Sequence, residues 1–263
     1  MPSDQSSIDN YDTYAEQYDK HIMNPAESPF HAYYEKPAIR AALPSLLGAK
    51  VLSIGCGSGI DTKWLKDNGA ASAAGIDLSS GLIDIAKRNF PDLSFQVMDM
   101  EKLVFEDDSY DLLYSSLAIH YLDDWTTALT EAHRVLKPGG TYVFSCNHPI
   151  QSALEHVDSG EDKLSILGRS TNAVTNIRTT YGDYLVAASH GTKAIESKAG
   201  GVPIVNYHKT FARMFDEIKA SHLTIDRIIE PQPLDIMATT DPKHYEQLTR
   251  IPSFMIWVLT KKV

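Results

Sequence analysis

Three glycines at alternate positions form the segment of this chain best suited to bind a small ligand. Residues 51–59 read VLSIGCGSG, so a short apolar run leads directly into Gly55, Gly57 and Gly59. Glycine has no Cβ, and such a turn at the end of a strand lets a ligand contact bare backbone. A dinucleotide fingerprint of the form GxGxxG needs glycine at position 60, where this chain has Ile60. The spacing therefore favours a nucleoside cofactor that lacks a pyrophosphate.

Two carboxylates follow the next two predicted strands. Asp77 ends an apolar run and can accept both hydroxyls of a ribose; the alternative is a helix N-cap, because Ser79 follows. Asp99 lies between Met98 and Met100 and can accept a hydrogen bond from an adenine amino group; the alternative is a solvated loop carboxylate. Ligands of open α/β sheets bind at the carboxyl ends of the strands, so we expect one nucleoside site there.

The elements that must position these residues alternate between apolar strands and amphipathic helices from residue 50 onward. This pattern predicts an α/β fold with a mostly parallel sheet and helices on both faces. Strands are predicted at residues 51–54, 73–77, 93–98, 111–115, 141–146, 223–229 and 254–260. Helical spacing predicts two core-facing stripes, which are Trp125, Leu129, Ala132 and Leu136, and Phe211, Met214, Phe215 and Ile218. We expect residues 138–140 (PGG) to end the first helix. The last strand should enter antiparallel, because only a short helical piece at residues 242–250 precedes it.

Two segments fall outside this alternation. Residues 1–47 predict two or three short helices that form a lid before the first core strand. Residues 147–206 shift to Ser, Thr, Gly and Asn without strong elements, which predicts an insertion that covers the substrate site. Tyr207 and His208 should then open the next helix. We interpret residues 1–263 as a single domain.

Composition excludes several classes of protein. The chain has 263 residues, 43% of them hydrophobic, and a formal net charge of -10, which disfavours a nucleic-acid partner. Cys56 and Cys146 make neither a disulfide framework nor a metal cluster, and they indicate a reducing compartment. Asp123 and Asp124 resemble a helix cap, so no metal is predicted. The polar residues 2–10 and the lack of any long apolar run predict a cytoplasmic protein without a membrane partner.

Across nearly its whole length the chain resembles the class I S-adenosylmethionine-dependent methyltransferases of the small-molecule type. The matching segments are residues 11–19 (YDTYAEQYD), 55–59 (GCGSG), 75–79 (GIDLS), 98–99 (MD), 110–122 (YDLLYSSLAIHYL) and 136–140 (LKPGG). The resemblance implies a Rossmann-like sheet of seven strands in the order 3-2-1-4-5-7-6 with the seventh strand antiparallel. It also implies S-adenosyl-L-methionine as cofactor and S-adenosyl-L-homocysteine as product.

The resemblance assigns the cofactor site residue by residue. It implies that the glycine turn contacts the methionine part, Asp77 the ribose, Asp99 the adenine, and Tyr18 the cofactor from the lid side. The full set of expected cofactor residues is Tyr18, Gly55, Cys56, Gly57, Gly59, Asp77, Leu78, Asp99, Met100, Ser115 and Ser116. The chain departs from the family pattern at Ser53, where the family usually has an acidic residue that helps to hold the ammonium group of the cofactor.

The expected reaction needs alignment more than a catalytic group. A sulfonium makes its methyl group electrophilic, so the protein must orient a nucleophile and exclude water. His120 is the candidate base, because the ordinary pKa of histidine lies near working pH; the alternative is a histidine hydrogen-bonded within its loop. The candidate acceptor-binding residues are Tyr33, Tyr34, His148, Tyr207 and His208, with ordinary packing or surface positions as their alternative.

The predicted function is methyl transfer to oxygen or nitrogen of a small molecule by a monomer or homodimer. Two other functions stay open at this point. An NAD-dependent oxidoreductase is opposed by the early third glycine, by Asp99 and by the antiparallel last strand. A non-catalytic partner protein with the same fold is favoured only by Ser53.

Overall fold

The computed structural model describes residues 5–159, 162–186 and 192–263. Its strands are β1 (Lys50–Ile54), β2 (Ser72–Asp77), β3 (Ser94–Val97), β4 (Tyr110–Ser115), β5 (Leu136–Asn147), β6 (Glu155–Ser159), β7 (Asp162–Ile166), β8 (Gly168–Thr171), β9 (Arg178–Tyr181), β10 (Thr192–Ala199), β11 (Val202–Lys209), β12 (Thr224–Ile229) and β13 (Phe254–Thr260). Its helices are α1 (Gln5–Thr13), α2 (Ala15–Met23), α3 (Lys36–Ala41), α4 (Ile60–Asp67), α5 (Ser80–Asn89), α6 (Thr126–Val135), α7 (Pro149–Ser152), α8 (Phe211–Ala220), α9 (Met237–Thr240) and α10 (Pro242–Leu248). A π-helical turn covers His31–Glu35, and a 3₁₀ turn covers Ile119–Tyr121.

Seven strands form the main sheet in the described ranges, in the order β12-β13-β5-β4-β1-β2-β3. Strands β1 to β5 pair in parallel, whereas β13 runs antiparallel to both of its neighbours, β5 and β12. Since β12 and β13 are the sixth and seventh strands of this sheet along the chain, the expected order 3-2-1-4-5-7-6 is confirmed. The Rossmann-like fold class predicted from the sequence is therefore correct.

The core lies on both faces of this sheet, because alternate residues of each strand point to opposite sides. On one face, Leu52 and Leu113 pack with Trp125 and Leu129 of the α6 region. On the other face, Val51 packs with residues of α3 and α4. All four residues of the predicted α6 stripe are buried, as expected.

The predicted stripe of α8 is wrong at one position. Phe215 is 50% exposed, whereas Met214 and Ile218 are buried. The inward position that the stripe did not include is Glu217, which is 3% exposed and pairs with the buried Lys209 of β11. A buried ion pair cannot be read from apolar spacing alone.

Strand β5 also differs from its prediction. It begins at Leu136 directly after α6, so residues 138–140 lie inside the strand instead of separating it from the helix. The register shifts there, because Tyr110 pairs with Leu136 while Leu112 pairs with Thr141. The extra residues form a bulge, a feature that locally interrupts pairing.

The segment 147–206 contains more regular structure than the sequence suggested. Three antiparallel hairpins occupy its described part, namely β6–β7, β8–β9 and β10–β11. Tyr207 and His208 lie in β11, so the expectation that they open a helix is wrong; α8 begins at Phe211 after the N-cap Thr210. Residues 160–161 and 187–191 of the predicted insertion, and residues 1–4 of the predicted lid, lie outside the described residues. Within the described ranges no helix is long and apolar enough to cross a bilayer.

Candidate functional site

The glycine turn joins β1 to α4 through backbone that other residues adopt only with strain. Gly57 has φ +54°, and a Cβ placed on it would meet no atom within 4 Å. Gly59 has φ +86°, and a Cβ there would lie 2.7 Å from the ring of Phe95. Gly57 therefore faces open space and is the position that a ligand can approach. Gly59 packs against the protein and has a structural role.

Asp77 at the end of β2 is held by the backbone of its neighbours. Its Oδ2 accepts the N–H of Gly57 at 2.8 Å, and its Oδ1 accepts the N–H of Ser79 at 2.9 Å. Burial raises the pKa of this carboxyl, against the lowering effect of those bonds. The N-cap of α5 is Ser79, whose Oγ accepts the N–H of Leu82, so Asp77 is not the cap. A carboxylate has about four lone-pair sites, so Asp77 keeps capacity for further donors.

A first cavity of about 100 Å³ lies over this turn, and we call it the cofactor cavity. Helix α1 covers it with Ser7, Ile8 and Tyr11. The predicted cofactor residues that line it are Tyr18, Gly55, Gly57, Asp77, Leu78, Met100 and Ser116.

Four other predicted cofactor residues lie outside the lining of the cofactor cavity. Cys56 is buried in a small cluster with Phe95, and Gly59 packs against the same ring. Ser115 is fully buried, and Asp99 accepts the N–H of Glu101 at 2.9 Å. Their roles toward a cofactor stay predictions.

A second cavity of about 600 Å³ adjoins the first, and we call it the acceptor cavity. Tyr18, Leu117 and Tyr121 line both cavities, so the two meet at these side chains. Leu117 has φ +52°, an uncommon value for a residue with a branched side chain. Its N–H donates to Ser145 Oγ at 2.9 Å, which holds the backbone in this conformation.

Four imidazoles line the acceptor cavity, those of His21, His31, His120 and His156, and the sequence analysis named only His120. His120 is buried and His31 is half-buried, and in the described part of the chain neither Nδ1 atom has a hydrogen-bond partner. Burial lowers the pKa of His120 to about 3, with a smaller contribution from His31. Burial and then Lys36 lower the pKa of His31 to about 4. Burial thus moves the pKa of both side chains below the ordinary value for histidine, and both rings are neutral at pH 7. The role of His120 as a base stays a prediction.

The five predicted acceptor-binding residues lie outside the lining of this cavity. Tyr34 is buried and its hydroxyl accepts the N–H of Ser253, while Tyr33 packs in the same apolar cluster. His148 is 3.1 Å from Glu230 through Nε2, and His208 bonds Ser152 and the carbonyl of Tyr184. Tyr207 is half-buried in β11 next to Asn206, which does line the cavity. Contact of these five with an acceptor stays a prediction.

Glu35 is a functional candidate that sequence analysis missed. Its side chain is 0% exposed, and its Oε1 accepts hydrogen bonds from the hydroxyls of Ser116 and Ser145. Burial raises the pKa of this carboxyl to about 7. A single acidic residue in a segment predicted to be a helical lid gave no signal of this burial. Among the described residues, no group of three or more His, Cys, Asp or Glu side chains is placed to hold a metal ion.

Comparison with known proteins agrees with this geometry. The sequence profile of a family described as a methyltransferase domain matches residues 52–144. A crystal structure of an S-adenosylmethionine-dependent methyltransferase from Mesorhizobium loti is 31% identical, with a TM-score of 0.66 over 86% of this chain and 97% of that chain. The chain belongs to the S-adenosylmethionine-dependent methyltransferases. It is an enzyme of that class, and S-adenosylmethionine is its cofactor.

Other relatives of this methyltransferase are either less similar in sequence than the Mesorhizobium loti protein or match only part of the chain. An uncharacterized protein of Haemophilus influenzae is 26% identical over 87% of each chain. A malonyl-[acyl-carrier protein] O-methyltransferase of Enterobacter lignolyticus is 33% identical over 41% of this chain and 43% of its own. A demethylmenaquinone methyltransferase of Renibacterium salmoninarum is 30% identical over 53% of this chain and 58% of its own. The methyltransferase thus spans less than two thirds of the length of either of these two enzymes.

The cofactor cavity fits S-adenosylmethionine in its donor and acceptor groups. Gly57 offers open backbone, and Asp77 has lone pairs left for ribose hydroxyls. The residue two positions before Gly55 is Ser53, which has no carboxylate for the ammonium group.

Proposed function

We propose that this methyltransferase transfers a methyl group to oxygen or nitrogen of a small molecule held in the acceptor cavity. The observation that carries the proposal is the junction of the two cavities at Tyr18, Leu117 and Tyr121. Pockets for small ligands usually measure ~300–1,000 Å³, and the acceptor cavity lies inside this range at about 600 Å³. An acceptor there can face the cofactor cavity directly.

The chain's own residues supply alignment and a place for a proton. When bound, S-adenosylmethionine supplies an electrophilic methyl group on a sulfonium. Tyr18, Leu117 and Tyr121 wall the junction at which an acceptor would be aligned with the methyl group. His120 lines this cavity, and in the described part of the chain its buried Nδ1 has no hydrogen-bond partner. A hydroxyl or amine that reaches this atom can donate a hydrogen bond to it and then lose its proton to it. Methyl transfer converts the positively charged sulfonium into a neutral thioether. A proton taken up by His120 restores one positive charge, so the net charge of the site does not change.

The acceptor cavity is polar without a buried charge of its own. Asn147, Gln151 and Asn206 line it together with the neutral imidazoles of His31 and His120, and its lysines and glutamates are mainly exposed. Neutral donors and acceptors suit a small polar molecule, and one relative is named an O-methyltransferase. We further propose that residues 1–47 form a lid and residues 147–206 an insertion over this site, within a single domain 1–263.

A methyl-transfer screen tests the proposal. Purified protein is incubated with S-adenosylmethionine carrying a labelled methyl group and with acceptors that share one ring but present a hydroxyl, a carboxylate or an amine. We expect transfer to one class, with turnover ~10²–10⁴-fold lower in His120→Asn and unchanged in His133→Asn, a histidine outside both linings. Transfer only to protein or RNA, or equal loss in both variants, would contradict the proposal.

A further inference from the structure

Glu35 is hydrogen-bonded to a residue that lines the cofactor cavity. Its Oε1 accepts the hydroxyl of Ser116 at 3.0 Å, and Ser116 lines that cavity. In the described part of the chain its Oε2 has no hydrogen-bond partner, although the side chain is fully buried. An ionised carboxylate buried in this way is costly unless a positive charge compensates it.

The two cations of α3, the helix that follows Glu35, are engaged elsewhere. Arg40 binds Asp61 at 2.7 Å, and Lys36 lies 3.5 Å from the other oxygen of Asp61. Within the described ranges Glu35 has no basic partner within the 4.0 Å limit of an ion pair. In the part of the chain that the structure describes, Glu35 is thus a buried carboxylate without a matching cation, bonded to a serine that lines the cofactor cavity.

The two serines bonded to Glu35 differ in what they can still bind. An ionised carboxylate only accepts, so both serine hydroxyl hydrogens are committed to Glu35. The oxygen of Ser145 already accepts the N–H of Leu117 at 2.9 Å. The hydroxyl of Tyr114 also interacts with the oxygen of Ser116, which leaves one lone pair for the cavity that Ser116 lines. Hydrogen-bond chains of this kind polarise one another. Ser116 therefore presents an acceptor, not a donor, to a bound ligand.

We propose that Glu35, acting through Ser116, holds the α-ammonium group of S-adenosylmethionine. The ammonium group donates to Ser116 Oγ, and the Glu35 carboxylate supplies the negative charge that Ser53 cannot. Glu35 is then a positioning residue of the cofactor site. The inference depends on the cofactor, and it is independent of the identity of the methyl acceptor.

The charged and titratable groups around Glu35 make its action depend on pH. Asp61 on α4 raises its pKa and Lys36 lowers it, while Tyr18 on α2 and Tyr114 on β4 face it as neutral hydroxyls. With burial the pKa is about 7. Affinity for a ligand that carries the ammonium group should therefore fall as pH drops below about 7, because protonation removes the negative charge.

The test compares two ligands by calorimetry, S-adenosylhomocysteine and its deaminated analogue, in which hydrogen replaces the ammonium group. Hydrogen bonds to charged groups typically contribute ~1.5–3 kcal/mol, which is about a 10- to 100-fold change in affinity. We expect Glu35→Gln and Ser116→Ala each to weaken S-adenosylhomocysteine binding about 10-fold or more and to leave binding of the analogue within about 2-fold. In Glu35→Gln the affinity for S-adenosylhomocysteine should no longer depend on pH near 7.

Ser145→Ala is the matched control, because it removes the other hydroxyl bonded to the same oxygen of Glu35 but does not face the cofactor cavity. Ser145→Ala should change the affinity for both ligands by the same factor. Thermal unfolding of each variant establishes that it is folded, and Ser116→Ala tests the relay should Glu35→Gln fail to fold. Equal weakening of the two ligands in Ser116→Ala, or no weakening of either, would overturn the proposal, even if methyl transfer to a small molecule were confirmed.

Discussion

Asp77 Oδ2 and the backbone nitrogen of Gly57 lie 2.8 Å apart, so the carboxylate after β2 fixes the glycine turn after β1. Asp77 is thus both a candidate ribose ligand and a support for the turn. Asp77→Ala should abolish measurable S-adenosylhomocysteine binding and also lower the free energy of unfolding by about 1–3 kcal/mol, because two backbone N–H groups lose their acceptor. Asp77→Asn keeps an acceptor oxygen and should lose less stability. Calorimetry and urea unfolding measure both effects; undiminished binding in Asp77→Ala would contradict the site.

Two glycines of the same turn should respond differently to alanine. Gly57→Ala places a Cβ in open space at φ +54°, so we expect a loss of about 1 kcal/mol in stability and a clear loss of cofactor affinity. Gly59→Ala forces a Cβ to within 2.7 Å of Phe95 at φ +86°, so its stability loss should be larger. Thermal unfolding with and without S-adenosylhomocysteine separates the two. An equal stability loss, with affinity retained in Gly57→Ala, would contradict the assignment of Gly57 as the ligand-facing glycine.

Sequence reasoning predicted the sheet well, because its signals are local and repeated. The apolar runs at residues 51–54 and 73–77 lead into a glycine and end in an aspartate, respectively, and both form strands whose carboxyl ends lie at the cofactor cavity. The antiparallel β13 followed from the short helical segment before it. Register details such as the bulge in β5 were missed, since they depend on how neighbouring strands pair.

The acceptor side was harder to predict because distant segments form it. His31, His120 and Asn206 line one cavity although they come from a π-helical turn, a 3₁₀ turn and a hairpin. Glu35 likewise meets Ser116 and Ser145 only in the folded chain. Burial also changed the chemistry of His120, whose pKa falls to about 3. Sequence spacing carries no information on such burial.

The neutral imidazoles of His31 and His120 predict how stability depends on pH. The pKa values of His31 and His120 are about 4 and about 3 in the folded protein, against 6.5 as the ordinary value. Between those values the two histidines bind more protons in the unfolded chain, so their contribution to the free energy of unfolding should fall as pH drops from about 6.5 to about 4. The variant with His31→Asn and His120→Asn should show a shallower fall. Urea unfolding at several pH values measures it, and an unchanged slope would refute the shifted pKa values.

The buried pair of Lys209 and Glu217 predicts an asymmetric response to mutation. Glu217 Oε1 lies 3.1 Å from Lys209 Nζ and also accepts from Arg213, while Glu217 Oε2 accepts the N–H of Trp125. Glu217→Gln leaves the buried ammonium group uncompensated, so it should lose about 3–5 kcal/mol of stability. Lys209→Met should lose less, because Arg213 still neutralises Glu217. Urea unfolding of both variants measures the two losses in the free energy of unfolding. A larger loss in Lys209→Met than in Glu217→Gln would contradict this prediction.

A crystal structure of the methyltransferase with S-adenosylhomocysteine tests most directly whether the two cavities form one methyl-transfer site. We predict that the ribose hydroxyls contact Asp77 and that the thioether sulfur lies beside Leu117 and Tyr121, facing His120 across the junction. A sulfur atom that points away from the acceptor cavity, with Leu117 closing the passage between the two, would contradict this account.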